Sequence, residues 1–478
     1  MKNARLVSLL VLCTGFLLIV VDMTIVNVAL PSIQKDLGFS QAGLAWVINA
    51  YLIAFGGLLL LAGRLGDLFG RKRVYLIGLA IFTGASMLCG LSFDQPMLIG
   101  ARFVQGIGGA VSSAVILAMI VTLFPRADEQ AKAFGVFSFV ASAGAAIGLL
   151  AGGLITQAVS WHWIFFVNFP IGVATMIAAV KLLHDDRGIG VGQGADVLGA
   201  VLVTVALMLG VYAIVQSSDY GLSSIRTIAL GSVSIALLAA FIARQAWGRN
   251  PILPLRVFAS RKLSVSSAAQ ALMSAAFLGF FFLGSLDLER VLGYGPMAIG
   301  LAFLPVAVVM GLFSIRFSAQ LINRFGPYAI VIAGQVVALG ALTWLGLGPV
   351  NADYFINLMI PLALLGLGGG LTFPALTIIA MSETAPSDAG MASGLLNTTG
   401  QVGGALGLAV LATIAAGQAT SLVLDGDQLT SALAGGYHMA WLACAGIVVL
   451  NLGLTAVGLR PSGAQTLAVD LDECEAVA

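Results

Sequence analysis

Stretches of almost unbroken apolar residues, each roughly 20 long, alternate along this chain with short polar breaks. Fourteen such runs are discernible: 6–30, 43–61, 74–92, 97–123, 133–158, 163–183, 197–216, 227–243, 263–286, 297–315, 328–346, 354–380, 391–416 and 437–458. At 1.5 Å per residue a run of about 20 crosses roughly 30 Å of hydrocarbon. The pattern predicts an all-α membrane protein of fourteen transmembrane helices, with no loop large enough to hold a soluble domain.

The basic residues between the runs orient the array, because Lys and Arg concentrate on the cytoplasmic side. With the N-terminus inside, eighteen of the 22 cations fall on the cytoplasmic face. Lys35, Arg226 and Arg290 fall outside, and Arg102 lies within a span. An odd number of spans would break this alternation. Both termini are therefore expected in the cytoplasm, with the chain in the cell (inner) membrane. The N-terminal run is too long for a signal peptide and has no small-residue cleavage site before Pro31, so it is read as the first span.

The sharpest interruption is Gly63-Arg64-Leu65-Gly66-Asp67-Leu68-Phe69-Gly70-Arg71-Lys72-Arg73, read as a charged hairpin. Five of its eleven residues are charged, in a chain where 9% are. A weak copy returns as Ala319-Gln320-Leu321-Ile322-Asn323-Arg324-Phe325-Gly326-Pro327, with Asn323 standing where Asp67 stood. Likewise Gln105-Gly106-Ile107-Gly108-Gly109 is echoed by Gly366-Leu367-Gly368-Gly369-Gly370. Both copies fall on the same side, which predicts a parallel repeat of two six-helix bundles, as in rocking transporters. The expected division is 1–184 for the first bundle, 185–262 for two intervening helices with cytoplasmic loops, 263–460 for the second bundle and 461–478 for a cytoplasmic tail.

Composition excludes more than it adds. A hydrophobic content of 59% and mean hydropathy of +1.04 rule out a soluble globule, which would carry about 25% charged residues. A net charge of +1 with scattered cations gives no footprint for nucleic acid. No phosphate-binding GxxxxGK[ST] loop, zinc-binding HExxH, CxxC pair or GxSxG nucleophile occurs. Neither ATP hydrolysis, enzymatic activity, a metal nor another cofactor is expected. Cys13, Cys89, Cys444 and Cys474 have no metal-type spacing and read as small hydrophobes.

Two charges inside the apolar runs carry the chemistry. Asp22 lies roughly 12 Å from the outer end of a first span closing at Leu30, where a carboxylate costs about 2.5–3.5 kcal/mol or more. It must be protonated, paired or open to water, as a proton or cation site or as a permanently locked structural acid. Arg102 lies about 8 Å from the outer end of the fourth span, at nearly the same depth. A guanidinium cannot deprotonate there and needs a counter-ion. The pair reads either as a coupled switch or as static glue between helices, and Gln105, almost one turn on, can share the cavity. Thr24, Asn27 and Glu289 complete the candidate substrate cavity, with Asn397 and Gln401, one turn apart, which can hydrogen-bond substrate or a neighbouring helix.

Other features support several readings. Gly148, Gly152 and Gly153 allow close helix packing, with or without a gating role. Trp161-His162-Trp163 reads as an interfacial anchor, and Asp287, Glu289 and Arg290 as a solvated rim or a cation-attracting vestibule.

At these residues the chain resembles the major facilitator superfamily, in its fourteen-helix branch of drug:proton antiporters, over about residues 6–458. Residues 63–73 look like the family's loop motif after the second helix. Asp22-Met23-Thr24-Ile25-Val26-Asn27-Val28-Ala29-Leu30-Pro31 looks like the branch's first-helix motif, and Arg102-Phe103-Val104-Gln105-Gly106 like the fourth-helix motif. Residues 161–170 and the run Ser393-Gly394-Leu395-Leu396-Asn397-Thr398-Thr399-Gly400-Gln401 also match. Two positions depart: Leu149 stands where the fifth-helix motif carries Pro, and His162 where the branch often carries Arg. The resemblance implies alternating-access, proton-coupled export of amphipathic, cationic drugs. It assigns proton coupling to Asp22 and Arg102, and a conformational latch to Gly63, Asp67, Gly70, Arg71 and Arg73. A transporter dedicated to one metabolite or antibiotic, and a non-transporting scaffold, are the alternatives.

Overall fold

A computed structural model describes residues 2–124, 127–185, 196–221, 223–248, 251, 253, 255–350, 353–382, 389–425 and 427–460. The tail 461–478, Cys474, and the cations Arg126, Arg187 and Arg249 lie outside the described residues. Every element within them is helical. That outcome follows from composition, since chain in hydrocarbon must satisfy its own backbone hydrogen bonds, and a helix does so within one segment.

The first half runs α1 (Lys2–Leu37), α2 (Gln41–Leu44), α3 (Trp46–Phe69), α4 (Arg71–Gly90), α5 (Gln95–Leu123), α6 (Ala127–Ala158), α7 (Trp163–Phe166) and α8 (Asn168–Leu182). A hairpin of α9 (Val197–Tyr220) and α10 (Ile225–Trp247) follows. The remainder is α11 (Arg261–Arg290), α12 (Pro296–Leu312), α13 (Ser318–Phe325), α14 (Pro327–Gly346), α15 (Ile360–Met381), α16 (Ala389–Leu424) and α17 (Leu429–Gly458). Short π-helical stretches, Phe313–Phe317 and Tyr354–Met359, precede α13 and α15.

Twelve helices among the described residues are long and apolar enough to cross a membrane. Two more apolar stretches, Ala143–Ala158 within α6 and α12 itself, are shorter. Each of the fourteen sequence runs thus falls on helix, but the count of full-length spans stands at twelve.

Two boundaries differ from expectation. The first helix does not close at Leu30; it continues through Pro31 and ends at Leu37, before Gly38 in the left-handed region at φ 68°. One donor from within and one from elsewhere secure that end: the Gln34 amide of α1 donates to the Phe39 carbonyl (2.9 Å), and the Gln95 amide of α5 to the Leu37 carbonyl (3.0 Å). The charged hairpin, similarly, is no extended loop. Helix α3 runs to Phe69 and α4 begins at Arg71, so Gly70 alone makes the turn, at φ 95° and ψ 131°. That backbone conformation strains any residue with a Cβ. Gly326 repeats it between α13 and α14 at φ 81° and ψ 152°.

The glycine echo has the same geometry in both halves. A Cβ on Gly106 would lie 2.4 Å from the Tyr51 carbonyl oxygen of α3, and one on Gly366 2.5 Å from the Val306 carbonyl oxygen of α12. One turn face away, Gly108 presses on Phe82 of α4 and Gly368 on Ala338 and the Gly334 carbonyl of α14. Helix α5 therefore sits between α3 and α4 as α15 sits between α12 and α14. Contacts between these sets run through α6 against α12, α3 against α16, and α1 against α11. The α9–α10 hairpin lies across that seam, touching both α3 and α16.

Candidate functional site

Each helix that builds the site is fixed locally. Helix α5 starts at an Asp94 cap, whose carboxylate accepts from the Met97 N–H (2.8 Å), with Pro96 in its first turn. Counting from that start, Arg102 and Gln105 emerge on one face, three residues apart. Helix α7 is tied to the end of α1 by the Trp161 indole, which donates to the Asp36 carboxylate (2.8 Å). A break at Val167 then places Asn168 at the first position of α8.

These side chains converge on Asp22, which is entirely shielded, as is Arg102 to within 1%. Arg102 Nη1 donates to Asp22 Oδ2 (2.5 Å) and to Gln105 Oε1 (2.8 Å), while its Nε donates to the Val47 carbonyl of α3 (3.0 Å). The other carboxylate oxygen, Oδ1, accepts from the Gln105 amide (2.8 Å) and the Asn168 amide (3.2 Å). Asn168 also donates to the Ser86 hydroxyl (3.0 Å), which donates to the Phe165 carbonyl (2.9 Å). The guanidinium lies over the Tyr51 ring at 4.5 Å, a favourable cation–π placement. Buried charges are tolerable when paired and hydrogen-bonded like this, and removing one partner strands the other.

The acid and base predicted to sit at like height are thus in direct contact, and Gln105 joins them. Asn168, Ser86, Tyr51 and the Val47 carbonyl were not anticipated as participants. Asn168 offered the only signal, an amide at the head of an apolar run.

The other candidate residues are dispersed. On α1, Thr24 donates to the Val20 carbonyl (3.0 Å) and fills the notch at Gly148 of α6. Asn27 is buried, its amide donating to the Met23 carbonyl (2.9 Å) and its side-chain oxygen unpartnered. Gln401 of α16 is half-buried against Gly56 of α3, and Asn397 is exposed. Glu289 is half-buried near the end of α11.

Gly148 and Gly152 seat α6 on Thr24 and the Ile25 carbonyl of α1, whereas Gly153 faces the other way, onto Pro296 and Met297 of α12. Gly300 of α12 returns the contact at the Leu149 carbonyl. At the Gly70 turn, Arg71 pairs with Asp67 (3.3 Å) and donates to the Ala118 carbonyl of α5 (3.3 Å). Gly66 packs on Val115 of α5, Arg73 is exposed, and nothing crowds Gly63.

Two readings need correction. Trp161 is not an interfacial anchor: it is buried, stacked on His162 and spent on Asp36, while exposed Trp163 keeps that placement. Asp287 is not part of a solvated rim, since only 6% of it is exposed.

The family described as Major Facilitator Superfamily matches residues 12–408. The cephamycin export protein CmcT of Amycolatopsis lactamdurans is 36% identical, covering 85% of this chain and 84% of its own. The puromycin resistance protein pur8 of Streptomyces alboniger is 35% identical, covering 94% and 90%. Among solved structures, an inward-facing, unoccupied bacterial homologue of the human lysosomal transporter Spinster superposes with a TM-score of 0.69. It is 16% identical over 97% of this chain and 100% of that one, a likeness of fold.

Proposed function

The chain belongs to the Major Facilitator Superfamily, and from that premise we propose that it is a proton-coupled exporter of amphipathic, cationic, drug-like compounds. Membership and twelve apolar helices make it a multi-pass membrane protein in a family of transporters rather than enzymes. In the proposed arrangement, α6 and α12 bring the spans to fourteen. Residues 1–184 and 263–460 rock about a central cavity, with 185–262 bridging them and both termini cytoplasmic in the inner membrane.

The observation that carries the coupling is Asp22, shielded from water and held by Arg102, Gln105 and Asn168. In this geometry the carboxylate is locked, both oxygens held by donors. Protonation from the outside removes its charge, weakens the hold of Arg102 and releases α1 relative to α5. In the other conformation the acid meets cytoplasmic water, gives up its proton and recaptures Arg102. Asp67 and Arg71 act as the latch at the cytoplasmic turn. Gly148, Gly152 and Gly153 let α6 slide against α1 and α12 during closure. Substrate enters between the halves in the opened conformation, with Thr24, Asn27, Gln105, Asn397, Gln401 and Glu289, dispersed in this one, as its proposed contacts.

The test is dye efflux from proteoliposomes with and without an imposed pH gradient. Asp22→Asn abolishes the gradient-driven component while the protein still inserts; normal export by that variant refutes the assignment.

A second reading, export of one dedicated antibiotic, is favoured by relatives named for cephamycin export and puromycin resistance. A panel of unrelated compounds separates the two, because a dedicated exporter protects against one chemical class.

A further inference from the structure

Helix α11 buries an ionisable group that the coupling scheme leaves idle. Asp287, near its end, is 6% exposed, and among the described residues neither a hydrogen-bond donor nor a cation meets its carboxylate. The side chain lines a cavity of about 10 Å³, space for roughly one water-sized molecule. His438 and Trp441 of α17, Asn357 of the π-helical entry to α15, and Leu345 of α14 also line it. Trp441 is buried with its indole N–H unpartnered, and its ring lies 5.6 Å from that of half-buried His438. The π-helical turn, capped by Asp353 at the Phe355 and Ile356 N–H groups, is what brings Asn357 to this wall.

We propose that this cavity is a second proton-binding site, at which Asp287 takes up a proton from extracytoplasmic water with His438 as its exchange partner. No covalent rearrangement is involved: the carboxylate gains a proton, and the imidazole or one water returns it. An unpaired carboxylate so shielded from water is expensive as an anion, whereas the Asp22 carboxyl is held by Arg102 and two amides. The two acids are thus built differently, one paired and one not. The surroundings permit this. Tyr437 and His438 approach from α17, and Glu289 and Arg290 follow on α11 itself. Lys35 of α1 comes near Glu289, and α12, α15 and α16 carry no charged side chain. Helix α11 packs directly on α1, so a change of charge at Asp287 acts on the helix that carries Asp22. This role within a transport cycle rests on the proton-coupled reading; proton binding at the cavity does not.

Infrared spectroscopy of the purified, detergent-solubilised full chain reads the site without transport. The wild type shows a protonated carboxylic-acid C=O band across the neutral range. Asp287→Asn loses it, Asp22→Asn retains it, Asp287→Glu keeps it at a shifted frequency, and His438→Gln displaces its titration midpoint. A band indifferent to Asp287→Asn overturns the proposal. So does a midpoint indifferent to His438→Gln, or an Asp287→Glu variant that is monodisperse and carries no such band. Gradient-driven efflux by Asp22→Asn reports on the coupling assignment separately, so either reading can fail alone.

Discussion

At Asp22 both carboxylate oxygens are saturated, one by Arg102 and the other by two amides from different helices. Such an arrangement suffers more from losing one partner than from losing both. Arg102→Ala leaves a buried, uncompensated anion, expected to cost about 3–5 kcal/mol. Asp22→Asn in turn strands the Arg102 guanidinium, which cannot deprotonate, so both single variants lose stability and the double variant Asp22→Asn/Arg102→Gln recovers part of each deficit. Thermal unfolding in detergent checks this; a double variant no more stable than either single one would contradict it. Asp22 and Arg102 were legible in the sequence because a charge inside an apolar run must be paired, protonated or hydrated. Tyr51 and Ser86 were not, because a helical serine commonly bonds its own backbone and an aromatic ring in an apolar run reads as core, so neither hints at its neighbours.

Between elements, the contacts are narrow enough that one carbon matters. Within α3, Gly63→Ala enters open space and leaves abundance in the membrane unchanged. Gly108→Ala meets the Phe82 backbone nitrogen at 2.3 Å, which cannot swing aside, so it separates α5 from α4 and lowers abundance in the membrane. Quantitative blotting with an efflux assay distinguishes the two. The α9–α10 hairpin has its own clamp: Asp196 accepts from the Gly199 N–H, from Arg244 and from Gln245, whose side-chain oxygen accepts from the Leu253 N–H. Burial pushes the Asp196 carboxyl up, but the Arg244, Gly199 and Gln245 hydrogen bonds outweigh it and hold the group below the ordinary carboxylate range. A group lowered in the folded state stabilises above its unfolded value of about 3.9 and loses that contribution as pH falls through the folded value. The stability gap between wild type and Asp196→Asn is therefore constant near neutrality and closes only below about pH 4. Acid titration of the unfolding midpoint measures it, and a gap that widens on acidification would be the wrong sign. Element type was readable from the apolar runs, since hydrocarbon leaves little choice but helix. Their ends were not: the donor that reaches the Leu37 carbonyl at the end of α1, beyond Pro31, comes from Gln95 of another helix, and such a partner has no local signature.

For the whole molecule, the repeat seen as Gly-rich echoes becomes a shared placement of α5 and α15 in their respective halves, with the same one-residue turn at Gly70 and Gly326. The seam between halves is thin where Gly153 meets Pro296. Gly153→Leu is expected to hold α6 off α12 and to cut transport well before it cuts folding, which efflux normalised to membrane abundance would show. What the sequence concealed at this scale is Asp287: its neighbours look like a rim, and only the packing of α11 against α17 hides it. The central claim is that protonation of Asp22 drives export. The most direct measurement is drug-induced proton movement in proteoliposomes, comparing wild type with Asp22→Asn. The account predicts that adding a transported dye releases lumenal protons through the wild type and none through the variant. Undiminished proton exchange by Asp22→Asn would contradict it.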